Sequence, residues 1–409
     1  MIEKFLPQSP QGEQNDPEAR KKMPQESEVL ESEVHISPEY RDQIVMAVEN
    51  KLESEMIRLH GEEPFHNPQH PEHVWEDAKS ILEIFAKYTD KITPDVHLAT
   101  ETGIKGHDVI IEYTVVQDPK AWNYGQRVRH RGFGDRIPSA VSALPGVRTV
   151  EGRKVGNEEA SWLLIQEIIR EKDPKGEIYT PAMMQIIKDE VAATYTDAIP
   201  ATFRAEATKV RDPKTGEMVD LAPYLDKDKE GRSSGLKFMQ PFLTPESHPA
   251  VLATAFGDLK YGGRSSFPEF KDRGDEEYRE LNELISNQIA GGISKLTPEQ
   301  RAAIAKSMLG WMHSEVGFLL WQKEDFIDKA ENSEAIEQST DPEALKRELY
   351  AAYGNFDENV LASVKHYDET REKFGNLTTP EVYTERAQES TNLLIRLLKE
   401  MGYQEQEIQ

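Results

Sequence analysis

The sequence predicts an all-α fold, a helical bundle with additional helices towards its C-terminal end. Three observations predict it. From Pro38 onward apolar residues recur at intervals of three and four, the period that gathers them on one face of a helix. Helix-start signals, prolines and small polar or acidic residues, stand ahead of several of these runs. No convincing run of alternating apolar and polar residues suggests a sheet.

The elements follow in order. Residues 1–37 are rich in Glu, Gln, Pro and Ser and nearly empty of aromatics, so they read as a flexible acidic arm that buries too little surface to offset the entropy of ordering. After His70, the residues Val74, Ala78, Ile81, Leu82, Phe85 and Ala86 share one helical face, with Pro71 in the first turn, where a missing N–H costs nothing. A second helix is expected from about Pro94 into the HDVIIEY segment. A third is expected from Asn157, a residue suited to capping, with Glu158 and Glu159 in a first turn that favours negative charge. Further helical patterns lie near 181–198, 249–261, 275–293, 297–332, 342–353, 356–374 and 380–402. Two long irregular stretches, 118–156 and about 202–245, interrupt them and read as lids or insertions. The expected organisation is the arm, a core of residues 38–270 carrying both insertions, and a helical region of residues 271–409 that packs on or completes the core. No repeat of 20 to 50 residues suggests a solenoid.

A chain of 409 residues can bury a core without covalent staples, and its lack of cysteine removes thiolate ligands and cysteine nucleophiles. The net charge of −25 argues against general affinity for nucleic acid or anionic membrane. There is no apolar run of about 18 residues and no secretory pattern at MIEKFLPQSPQGEQ, so a cytoplasmic location is expected. No GxxxxGK[ST] or GxGxxG phosphate loop appears. The Met and aromatic residues around Met308, Trp311, Met312, Phe318, Leu319, Leu320 and Trp321 have the spacing of a core face.

The eleven histidines are unevenly placed: His60, His66, His70 and His73 crowd one segment, and Asp108 directly follows His107. Imidazole with carboxylate and no thiolate suits Zn, Mn, Fe, Co or Ni, and the carboxylates allow Mg at a second position. The runs FHNPQHPEHV (65–74), GHDVIIEY (106–113), GNEEAS (156–161) and TAFGDLKYGG (254–263) stand in an order that resembles the HD superfamily of metal-dependent phosphohydrolases. The first run is also similar to the YHNxxHxxxV segment of cyclic nucleotide phosphodiesterases. The resemblance covers roughly residues 60–265, with a looser echo at 314–330, and it implies an HD-type helical bundle. It departs at Phe65 for Tyr, at Gly257 for Ala, and in the long link from Asp108 to Asn157.

What the resemblance implies is a site with one or two divalent ions. His70, His107, Asp108 and Asp258 would be ligands, with Asp108 bridging to any second ion. His66 would protonate the leaving oxygen, and Asn67 and Glu158 would orient substrate or water. The implied reaction is hydrolysis of a small anionic phosphate ester, with a nucleotide or cyclic nucleotide-like molecule as the expected substrate, by metal-activated water. The chemistry gives its own reason: cations must neutralise the phosphate oxygens, and a nucleophile must exist at neutral pH. Between residues 118 and 156, Lys120, Arg127, Arg129, Arg131, Arg136, Arg148, Arg153 and Lys154 outnumber Asp118, Asp135 and Glu151. Arg127, Arg129 and Arg131 are therefore expected to clamp phosphate, and Trp122, Tyr124 and Phe133 could stack on a base. Two other readings stay open on the sequence: a non-catalytic HD-like binding protein with a structural metal, and an HD-fold di-iron oxygenase.

Overall fold

The computed structural model describes residues 36–118 and 124–408. The expected arm, apart from Ile36 and Ser37, and the insertion residues Lys120 and Trp122 lie outside the described residues. The remainder is mostly helical, and many helices begin where local chemistry supplies a cap. Ser37, Thr93, Thr180 and Thr297 each accept a backbone N–H of the first turn, and each is followed by proline, so the helices Pro38–His60, Pro94–Gly106, Pro181–Ala193 and Pro298–Asn332 start at fixed points. Ser266 and Glu269 form a reciprocal box at the head of Phe267–Leu281.

The helix Gln69–Ala86 buries Val74, Ala78, Ile81, Leu82 and Phe85, the face the spacing predicts except for exposed Ala86. That face lies against Pro249–Leu259, an almost wholly buried helix. The two approach closely because residue 257 is glycine: a Cβ there would come within 2.9 Å of the Val74 carbonyl oxygen and 3.2 Å of the Ala78 Cβ. Their shared core extends to the second half of Pro298–Asn332, while the first half of that 35-residue helix packs a separate core with the C-terminal helices. A third core joins Pro38–His60, Asn157–Lys172 and Pro181–Ala193. No helix among the described residues is long and apolar enough to cross a membrane.

Strands correct the expectation of an all-helical chain. Tyr113–Val115 pairs antiparallel with Arg127–Arg129, and Thr149–Val150 with Arg153–Lys154, inside the first irregular stretch. Asp197–Thr202, Ser233–Met239 and Asp226–Lys227 form a three-stranded antiparallel sheet, and Lys209–Arg211 pairs with Met218–Asp220, in and around the second. The Pro94 helix ends at Gly106, before the HD pair, because the β-branched run that follows leads into a strand. Asn157 does not cap its helix: Gly156 holds that position, and the Asn157 amide pins the backbone of Glu112 through both its oxygen and its nitrogen.

Candidate metal centre

Four side chains from three segments converge. His70 lies in the first turn of Gln69–Ala86, Asp258 in the last turn of Pro249–Leu259, and His107 and Asp108 follow the end of Pro94–Gly106. The His70 Nε2 is 3.5 Å from Asp108 Oδ2 and 3.6 Å from Asp258 Oδ1; the His107 Nε2 is 3.2 Å and 3.6 Å from the same two atoms. Ligand atoms about 2.0–2.2 Å from a shared ion at tetrahedral angles would be roughly 3.3–3.6 Å apart, so these spacings fit a transition-metal site.

Two further observations fit a cation. The Nε2 atoms of His70 and His107 are buried and have no hydrogen-bond partner. The His107 Nδ1 stands 2.6 Å from the Ile104 carbonyl, so it donates there and leaves Nε2 as the ring nitrogen that faces the carboxylates. Burial works against charge on both rings, but Asp108 and Asp258 overcome it and raise both pKa values, that of His107 most. Against the same cost of burial, His107 and Arg129 hold the Asp108 carboxyl well below the usual range, and His107 and His70 do so for Asp258. Protons on the imidazoles thus balance charge that a divalent ion would balance when bound.

His66 stands beside this set, in the turn before the His70 helix. Its Nε2 is 3.6 Å from Asp108 Oδ2, and His66, His70 and Asp108 form a second group able to hold an ion. Its Nδ1 is hydrogen-bonded to Glu280, which also accepts the backbone N–H groups of Phe65 at 3.0 Å and His66 at 2.9 Å and the Tyr113 hydroxyl. Burial, reinforced by Arg129, lowers the His66 pKa to about 4, whereas Glu280 is held far below the carboxylate range by its contacts with His66 despite burial. Glu280 belongs to Phe267–Leu281, beyond the core expected from the sequence.

The centre opens into a cavity of about 570 Å³ lined by His66, His70, Asp108 and Asp258. Arg129, Arg131 and Glu158 also line it. The Arg129 Nη2 is 3.3 Å from Asp108 Oδ1, Arg131 is hydrogen-bonded to Thr196, and Glu158 accepts the Gly132 N–H at 2.7 Å. The C-terminal region supplies another wall, including Trp311, Phe318 and Trp321; Met308, Met312, Leu319 and Leu320 are core, as their spacing predicts.

Two expected substrate contacts are placed elsewhere. Arg127 does not line the cavity; its guanidinium is held by Glu63 at 2.8 Å and Glu283 at 2.7 Å. The Asn67 side chain closes a local turn, donating to the Pro64 carbonyl and accepting from Gln69 N–H, both at 2.9 Å. Neither Tyr124, which is exposed, nor Phe133, which packs in the third core, lines the cavity. Comparison with known proteins finds no matching family, curated protein or solved structure.

Proposed function

We propose that this protein is an HD-type metal-dependent phosphohydrolase that cleaves a small phosphate ester at one cation held by His70, His107, Asp108 and Asp258. The observation that carries this reading is the pair of partnerless Nε2 atoms, each within 3.6 Å of two carboxylates that line a cavity together with two arginines. A divalent ion there supplies water acidic enough to act as a nucleophile at neutral pH.

The chain's own residues supply the rest. Arg129 faces Asp108, the residue that the HD resemblance makes the bridge to any second ion, so its guanidinium would take that ion's part in neutralising phosphate. An oxygenase with two irons would need that place for a ligand set. Arg131 adds a second guanidinium, and the two bind the phosphoryl oxygens. As the water oxygen bonds to phosphorus, the ester P–O bond breaks and its electron pair passes to the alcohol oxygen, which takes a proton from His66 Nε2. His66 recovers the proton released by the water. Burial and then Arg129 lower the His66 pKa; phosphate over Arg129 offsets the second of these, and Glu280 favours the charged imidazole.

The test is turnover of p-nitrophenyl phosphate and bis-p-nitrophenyl phosphate by the full chain supplied in turn with Mn, Mg, Zn, Fe, Co and Ni. Release of p-nitrophenol that disappears in Asp108→Asn, with helical circular dichroism intact, is the expected result. Absence of turnover with every metal, or unchanged turnover in Asp108→Asn, contradicts the assignment.

A further inference from the structure

The cavity is larger than a phosphate group needs, and part of its lining has a chemistry that the hydrolytic steps leave unused. Its centre is Glu315, on Pro298–Asn332, which lines the cavity yet is only 5% exposed. Its Oε1 has no hydrogen-bond partner. The Gly274 backbone approaches it closely, and the lack of a side chain there leaves the oxygen room: a Cβ would come 2.8 Å from it.

Burial, reinforced by Asp275, pushes the Glu315 carboxyl well above the usual range against the opposing pull of Lys271. The neighbouring cations are engaged: Lys271 binds Asp275 and the Glu400 carbonyl, and Arg273 lies over the Tyr261 ring at 5.4 Å. Glu277 also lines the cavity and adds a second buried carboxyl, which Arg131 and Arg129 act on and which in turn acts on Glu315. Trp311 and Phe318, four residues before and three after Glu315, share its helix face and also line the cavity. Aromatic faces beside a buried acid that an arriving cation would ionise are surroundings that suit an organic ammonium group.

We propose that the substrate is a zwitterionic phosphate ester of an amino alcohol, with its phosphate at the metal centre and its ammonium group at Glu315, Glu277, Trp311 and Phe318. This rests on the hydrolytic reading for the phosphate end, while the ammonium site stands on its own residues. The two charged ends match a cavity whose lining holds both Arg129 and Arg131 and the buried acids Glu277 and Glu315. An alkyl chain would leave Glu315 without a partner.

The experiment compares the Mn-loaded full chain on phosphocholine and on 3,3-dimethylbutyl phosphate, which has the same shape without the charge. A preference of roughly tenfold or more in kcat/KM for phosphocholine is expected, corresponding to about 1.4 kcal/mol. Choline alone, titrated calorimetrically into the same protein, should bind saturably and roughly tenfold more weakly to Glu315→Gln. If that variant fails to fold by circular dichroism, Glu277→Gln provides the same reading. Equal rates on the two esters with no choline binding overturn the ammonium site and leave the hydrolase standing. Choline binding without hydrolysis of any ester supports the ammonium site and overturns the hydrolase.

Discussion

His66 is held from one side by Glu280, and that contact separates a proton donor from a metal ligand. With Nδ1 committed to Glu280, only Nε2 faces the site. His66→Ala is expected to retain metal while turnover falls about 10²- to 10⁴-fold, the range for loss of a general acid, and to fall less for esters with good leaving groups. Loss of metal from this variant would make His66 a ligand. The arginines divide in the same way. Arg129→Gln and Arg131→Gln should raise KM for a charged ester, whereas Arg127→Gln should lower the urea midpoint by breaking its pairing with Glu63 and Glu283 and leave KM near its original value. A comparable rise in KM for Arg127→Gln would return that residue to the site. His66, His70, His107, Asp108 and Asp258 were legible because their motifs stand in a distinctive order. Glu280 was not: it reaches His66 across 214 residues of sequence, and nothing around it marks a partner. Arg127 misled because its pattern is that of a phosphate clamp, while its carboxylate partners are 64 and 156 residues away.

The helices that carry His70 and Asp258 hold the site together through Gly257. In Gly257→Ala the added methyl meets backbone of the opposite helix, which cannot yield as a flexible side chain would. A loss of about 1–3 kcal/mol in urea denaturation is expected, together with weaker metal retention because His70 and Asp258 move apart. A variant as stable and as metal-rich as the parent would show that the close approach is not needed. Most helices were readable because caps and prolines mark their starts and burial repeats along their length. The strands were not, since several have only two or three residues, too few for alternation to register. Ser233–Met239 is longer, but its faces are only partly buried and Leu236 is exposed, so its apolar pattern is weak.

At the scale of the whole molecule, one buried acid links stability to pH. Glu190 is fully buried against Gly103, beside Thr100 and Thr254, and burial raises its pKa from 4.5 to about 8. A raised folded-state pKa means that its contribution is complete below about pH 4.5 and is lost as pH rises through about 8, at up to about 1.4 kcal/mol per pH unit. Urea midpoints should therefore fall between about pH 5 and 8 by more in the parent than in Glu190→Gln. Equal slopes would mean that Glu190 reaches a counter-charge. The region beyond residue 270 shapes the site as well as its own core, through Glu280 and the cavity wall on Pro298–Asn332.

The central claim is a single cation on His70, His107, Asp108 and Asp258, and elemental analysis tests it most directly. The full chain, His107→Ala and Asp258→Asn would each be equilibrated with Mn or Zn, dialysed, checked for helical content and assayed for bound metal. Close to one ion per parent chain, with most of it lost from both folded variants, is the predicted result. No retained ion in the parent, or the same metal content in all three proteins, would contradict it.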